Sequence, residues 1–437
     1  MIRWRTSAVL AAAAALLVAA AAGAEPGARL NPHRFLRPPT PAQCARAFGA
    51  PCYRPAQLQR AYDLRGLYRA GLNGRGRTIV IVDAFGSPTI RHDLTVFDRT
   101  FGLPDPSLRI LRPAGRVPPY RPDLGDRVGW AEETSLDVEY AHAMAPGAAI
   151  VLVETPVDET EGATGFPQIV AAENYVINHG LGDVISQSFA ATEQTFSSRR
   201  QILGLRSAFV NAARHGVSVL GASGDNGPAG YRLDNRTFYP FPVNSWPSSD
   251  PLVTSVGGTR VFLDGRGRRL RPDVAWNDGG AFPQAGGGGP SAVFARPRYQ
   301  DGVRAIVGAR RGTPDVSMSA SAYGAAIVYV SFSGVGVAGP GWYPINGTSE
   351  AVPLFAGIVA IADQAAGRRL GLLNPALYAL AARHAAGLLD VRTGDTTVRI
   401  RHRGRLRTVR GYRARRGYDL ATGLGTVDAA RLVAELR

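Results

Sequence analysis

Short apolar runs and amphipathic runs alternate along the chain, and their periods differ. Thr78-Ile-Val-Ile-Val-Asp83 is a β-branched run set between glycines, the pattern of a strand buried on both faces. Ala149–Val153, Val184–Ser188 and Val217–Ala222 repeat it. Between them, Glu132–Met144 and Arg206–His215 read as helices; in the first, Leu136, Tyr140 and Met144 form an apolar stripe. Strand and helix in alternation predict an α/β domain with a mostly parallel sheet covered by helices on both faces. Functional groups on such sheets gather at the carboxyl ends of strands, where Asp83 and Asp225 fall. Upstream, Pro55–Arg65 predicts a short helix, and the Pro- and Arg-rich residues 25–54 an extended lead-in. Neither a repeat nor a linker divides residues 55–437, which read as one domain.

The most apolar helix has an unusual entry. Asn346-Gly-Thr-Ser-Glu-Ala-Val-Pro353 runs directly into Leu354, Phe355, Ile358, Val359 and Ile361, which leave almost no polar face. A helix of this kind is buried. Its N-terminus offers N–H groups and a positive dipole end, and Pro353 is close enough to that end to be tolerated. Ser349 therefore serves either as a helix cap or as a nucleophile at the mouth of a core helix. The choice depends on whether the rest of the chain supplies a base and an oxyanion donor.

Two acidic motifs do so. Glu133 and Asp137 are one helical turn apart beside the apolar stripe. Two carboxyls held there cannot both ionise easily and can share a proton, which suits base catalysis at acid pH. The plainer alternative is an acidic helix N-terminus, which accounts for Glu132 and Glu133 better than for Asp137. Val217-Ser-Val-Leu-Gly-Ala-Ser-Gly-Asp225-Asn-Gly ends a strand in a glycine-flanked aspartate. Protonated, it would donate a hydrogen bond to an oxyanion; otherwise it is a turn residue. None of the seven histidines has glycine on both sides, and His142 projects away from Asp137, so a histidine base fits less well. Gly286–Gly289 is followed by no P-loop lysine and reads as a loop that either approaches substrate or merely flexes.

Composition adds compartment and partners. Arg3 and Arg5, an Ala/Leu run from Ala8 to Ala20 and Ala22-Gly-Ala24 form a signal-peptide pattern over residues 1–24, so the protein is expected to be secreted, with no membrane association after cleavage. In that setting Cys44 and Cys52 are expected to form a small local disulfide. The net charge of +16 comes from arginine alone, with a dense cluster between Arg392 and Arg416. Without a recognition motif or interleaved aromatics, this reads as a solvated surface rather than a nucleic-acid site.

Together these motifs resemble the sedolisins, or serine-carboxyl peptidases, across roughly Pro55 to Arg437. The resemblance rests on Glu133-Thr-Ser-Leu-Asp137, Ser223-Gly-Asp225-Asn-Gly, Val256-Gly-Gly-Thr259, Gly286-Gly-Gly-Gly-Pro-Ser, Pro314-Asp-Val-Ser317, Gly347-Thr-Ser349-Glu-Ala-Val-Pro353 and Gly417-Tyr-Asp-Leu-Ala-Thr-Gly-Leu-Gly425, in family order. It implies a subtilisin-like α/β fold with a seven-stranded parallel sheet. It also implies a secreted, monomeric enzyme acting on polypeptides at acid pH. Ser349 would be the nucleophile, Glu133 the general base, Asp137 its supporting acid and Asp225 the oxyanion donor, with the Ser349 N–H completing the hole. One structural calcium ion is implied, on the carboxylates of Asp390 and Asp419 and the backbone carbonyls of Val391, Arg415 and Gly417. The chain departs from the family pattern at Asn346 and Arg415, where glycine is usual, and after Ser317, where an aspartate is frequent. Only residues 25–54 stand where the family typically has a long prodomain. A catalytically inactive, peptidase-like binding protein is the alternative, and the intact Ser349, Glu133, Asp137 and Asp225 weigh against it.

Overall fold

The computed structural model describes residues 29–280 and 282–437. Among these residues the central sheet has eight strands. They are β1 (Thr78–Ala84), β2 (Leu108–Leu111), β3 (Ala149–Thr155), β4 (Val184–Gln187), β5 (Ser218–Ala222), β6 (Thr254–Arg260), β7 (Val274–Ala275) and β8 (Val316–Ser319). Seven of them run parallel, in the order β2-β3-β1-β4-β5-β6-β8, as the resemblance implied. Two-residue β7 adds an antiparallel pairing at the end of β6.

Strand β1 shows why the sheet sits between two cores. Side chains alternate across a strand. Ile79 and Ile81 enter one core, with Leu136, Met144, Phe355 and Ile358. Val80 and Val82 enter the other, with Phe166, Ile169, Phe209 and Trp246. The first core is covered by α2 (Gly125–Met144) and α5 (Thr348–Ala366), together with α1 (Ile90–Phe101). The second is covered by α3 (Phe166–Asn178) and α4 (Ser207–His215). Helices therefore cover both faces, as the alternation predicts.

Three local readings are corrected. Helix α2 begins at Gly125 rather than Glu132, so Glu133 lies in its interior and is not an N-terminal acid. Gly129 and the polar Asp126 and Arg127 hid the first turns. Burial on α2 is also not confined to the apolar stripe, since every residue from Glu133 to Met144 is buried. Residues 29–54 are not an extended lead-in. Thr40 and Gln43 form a reciprocal capping box that starts a helix at Pro41–Phe48. Arg29–Leu30 pairs with the strand Gly341–Asn346, and Cys52–Tyr53 pairs with Ala325–Val330, building a second, four-stranded sheet. The expected disulfide joins Cys44 to Cys52 across 5.8 Å between Cα atoms and ties that helix to the sheet. The signal-peptide pattern of residues 1–24 lies outside the described residues. No described helix is long and apolar enough to cross a membrane.

Candidate active site

Helix α5 runs unbroken through Pro353, and all its residues from Thr348 to Asp363 are buried. Gly347 precedes it with φ of 134°, a conformation that only glycine adopts without strain, so the turn into Ser349 depends on that residue. Asn346 ends the preceding strand, and its side-chain amide donates to the Ala320 carbonyl at 3.3 Å. The departure from glycine thus falls in the strand, one residue before the turn. Ser349 is the second residue of α5 and fully buried, and its hydroxyl makes no hydrogen bond with any described residue.

Asp225 meets this turn directly. Its Oδ1 accepts from the Thr348 N–H at 2.8 Å and from the Thr348 hydroxyl at 2.6 Å. The Thr348 hydroxyl oxygen in turn accepts from the Gly224 N–H at 3.2 Å. The loop after β5 is thus fastened to the N-terminus of α5, one residue before Ser349. The Gly286–Gly289 stretch is packed against the same loop, with the Gly287 N–H donating to the Gly224 carbonyl at 2.7 Å and the Gly286 N–H to the Trp276 carbonyl at 3.1 Å. It is a fixed wall, not a flexing loop.

Helix α2 supplies the carboxyls. It lies against α5 so closely that a Cβ at Gly357 would stand 2.5 Å from the Met144 Cβ. Tyr140, one turn before Met144, is near Glu350, so the two helices run in the same direction. The turns carrying Glu133 and Asp137 therefore lie toward the end of α5 that holds Ser349. Asp137 Oδ1 accepts from the Ser188 hydroxyl at 3.0 Å. Burial above all, then the charges of Asp83 and Glu133, pushes the Asp137 carboxyl well above the usual carboxylate range, and the Ser188 bond opposes this. Asp83 itself, at the end of β1, is pushed up to about 7 by burial, with Glu154 adding and Thr134 opposing.

Ser349, Asp225, Ser188, Glu159 and Glu161 line one cleft, together with Thr348 and the loop 224–231. Glu133 and Asp137 are not among the residues that line it; the charge of Glu133 reaches it by helping to raise Glu159, after burial and Asp158. Burial also raises Glu161 to about 7 against donors from Thr192 and Thr195. Sequence reading did not single out Ser188, Glu159 or Glu161. Ser188 ends a predicted strand, which was a usable signal; the two glutamates follow β3 in an irregular loop that carries none.

The other predicted set lies apart, at the C-terminal turn. Asp390 Oδ2 accepts from the Gly417 N–H at 3.1 Å and from Arg392 Nε at 2.8 Å. Asp419 accepts from the Arg415 N–H at 2.8 Å and from the N–H groups of Ala421 and Thr422. The two aspartates thus bracket residues 415–417, with Val391 buried beside them. Among the described residues no group of three or more His, Cys, Asp or Glu side chains is placed to hold a metal. Asp390 Oδ1, however, is buried without a hydrogen-bond partner.

An α/β sheet of this order, with a buried serine at a helix N-terminus and an aspartate locked to its cap, defines a subtilisin-like architecture with a carboxyl-lined site. Comparison with known proteins agrees. Kumamolisin from Bacillus sp. (strain MN-32) is 31% identical over 395 residues, spanning 88% of this chain and 63% of its own length. Sedolisin from Pseudomonas sp. (strain 101) is 28% identical over 393 residues, spanning 88% and 61%. Human tripeptidyl-peptidase 1 is 30% identical over 322 residues, spanning 70% and 51%. The chain thus covers between half and two thirds of the length of these relatives. The solved structure of Pseudomonas sedolisin, complexed with two molecules of pseudo-iodotyrostatin, superposes with a TM-score of 0.72 at 25% identity, covering 89% of this chain and 98% of that one. No protein-family model matches the chain. The chain belongs to the sedolisin, or serine-carboxyl peptidase, family.

Proposed function

We propose that this chain is a secreted serine peptidase that hydrolyses polypeptides at acid pH, with Ser349 as nucleophile. The observation that carries the reading is the pair of Thr348-to-Asp225 hydrogen bonds, which hold a carboxyl beside the serine at the mouth of a buried helix. Ser349 Oγ attacks the peptide carbonyl while Glu133 takes its proton. Asp137, kept neutral by burial, shares the proton that Glu133 takes up. Asp225 Oδ1 is occupied as an acceptor, so its proton belongs on Oδ2, from which it is donated to the oxyanion; the Ser349 N–H, a first-turn amide, is the second donor. Collapse expels the amine, protonated by Glu133, and water then releases the acyl group by the same steps in reverse. Glu133 must be ionised and Asp225 protonated, so the rate falls on both sides of an acid optimum.

A calcium ion would suit the C-terminal turn, because the buried Asp390 Oδ1 has no hydrogen-bond partner and the remaining donors are hard oxygens. Asp390, Asp419 and the carbonyls of Val391, Arg415 and Gly417 would hold it, and it would fasten residues 390–391 to 415–419. Its role would be structural. The signal-like residues 1–24 support export, and the chain is taken to act as a monomer.

Substituting Ser349→Ala tests the reading. Casein hydrolysis at pH 4 is expected to fall by about 10⁴-fold or more, with circular dichroism unchanged. Undiminished hydrolysis would remove Ser349 from the nucleophile's role, and no hydrolysis by the parent protein would leave a peptidase-like binding protein.

A further inference from the structure

The arginine cluster left unexplained by the sequence has a definite place in the fold. Val398–His402 and Arg405–Val409 form an antiparallel hairpin, with Val398 opposite Val409 and Ile400 opposite Arg407. Val398, Ile400 and Val409 are buried against Ala229, Phe238 and Ala285. A Cβ at Gly227 would stand 2.8 Å from Val398 Cγ1 and 2.6 Å from the Thr396 carbonyl oxygen. Gly227 and Ala229 belong to the loop after Asp225 and line the cleft with Ser349. The hairpin is thus rooted on the back of the cleft wall.

Between residues 398 and 410 stand six arginines, 399, 401, 403, 405, 407 and 410, and no acidic residue. All six are exposed. None takes part in an ion pair among the described residues, whereas many arginines elsewhere do. Arg232 adds to the field, since desolvation and then Arg403, Arg232 and Arg407 hold His402 below its usual range. A fixed hairpin that concentrates like charge costs stability unless an anion offsets it.

We infer that this hairpin is a docking surface for acidic segments of the polypeptide substrate, positioned beside the cleft that holds Ser349. The inference rests on the peptidase reading given above. A polypeptide is favoured over nucleic acid because Ile400, His402, Gly404, Leu406, Thr408 and Val409 separate the arginines, with no Phe, Tyr or Trp among them, and the nearby Tyr231 ring is already stacked on Phe238 at 4.4 Å. The arginines would also keep substrate carboxylates ionised at acid pH.

The test uses one cleavable core peptide extended at either end by aspartates or by asparagines, assayed near pH 5. At low salt the aspartate peptide is expected to be cut about tenfold more efficiently, through KM. The advantage should vanish in a variant carrying Arg399→Gln, Arg401→Gln, Arg405→Gln and Arg407→Gln, and at about 0.5 M salt. Equal cleavage of the asparagine peptide by both proteins shows that the variant is folded. Equal efficiency for the two peptides in the parent enzyme would overturn the inference. Fluorescence anisotropy of a labelled oligoglutamate, with the Ser349→Ala protein, reads binding without catalysis. Binding that requires the arginines while neither peptide is cut would sink the peptidase reading and keep the docking surface. Cleavage of the asparagine peptide without oligoglutamate binding would do the opposite. An oligonucleotide of equal charge that binds more tightly than oligoglutamate, through the same arginines, would also overturn the inference.

Discussion

At Asp137 the surroundings fix the chemistry. Burial disfavours the charged form, Asp83 and Glu133 add to it, and a single hydroxyl, that of Ser188, works the other way. Asparagine at this position cannot take up a proton. For Asp137→Asn, kcat at pH 4 is expected to fall about 10²-fold with KM nearly unchanged, which steady-state kinetics would show. An equal loss shared between kcat and KM would point to a collapsed cleft. Much of this was legible in the sequence, because Glu133, Asp137, Asp225 and Ser349 each stand in a local pattern with a chemical reading. Glu159 and Glu161 reach the cleft only through the tertiary fold, so no local pattern marks them.

Elements were legible where their period was clean. Strands β1 and β3–β5 are found within two residues of their predicted bounds, since β-branched runs between glycines admit few other readings. Helix α2 was misjudged because Gly125 and Gly129 resemble loop residues, yet tertiary packing carries the helix through them. The lead-in was misjudged because its strands are only two residues long and borrow their partners from residues far along the chain. The turn at residues 415–419 calls for a test of its own. Chelation with EDTA is expected to lower the melting temperature of the parent protein, and added calcium to restore it. In Asp390→Asn the melting temperature should start lower and no longer respond to chelator. A chelator-insensitive parent would remove calcium from this turn.

Across the whole molecule, buried carboxyls set the response to pH. Burial raises Asp83, Asp98 and Asp363 to about 7, and Glu173 and Glu350 to about 8. Each folded-state value lies above the unfolded one, so the native chain holds protons that the unfolded chain releases from about pH 4 upward. The stability these groups contribute is complete below that range and is lost as pH rises to 7–8. Thermal melts at pH 4, 6 and 8 should give steadily lower midpoints, and a rise toward pH 8 would contradict this account. The proposed chemistry also belongs to acid pH, so the conditions that favour the fold favour it too. The alternation in β1 has a further consequence, for how the gene tolerates change. Ile79 and Ile81 belong to one core and Val80 and Val82 to the other, with Asp83 next in line. Deleting a single codon within this strand would exchange the two sets and send the Asp83 carboxyl to the opposite layer. Substitutions among Val and Ile should be accepted here, whereas in-frame losses of one residue should not.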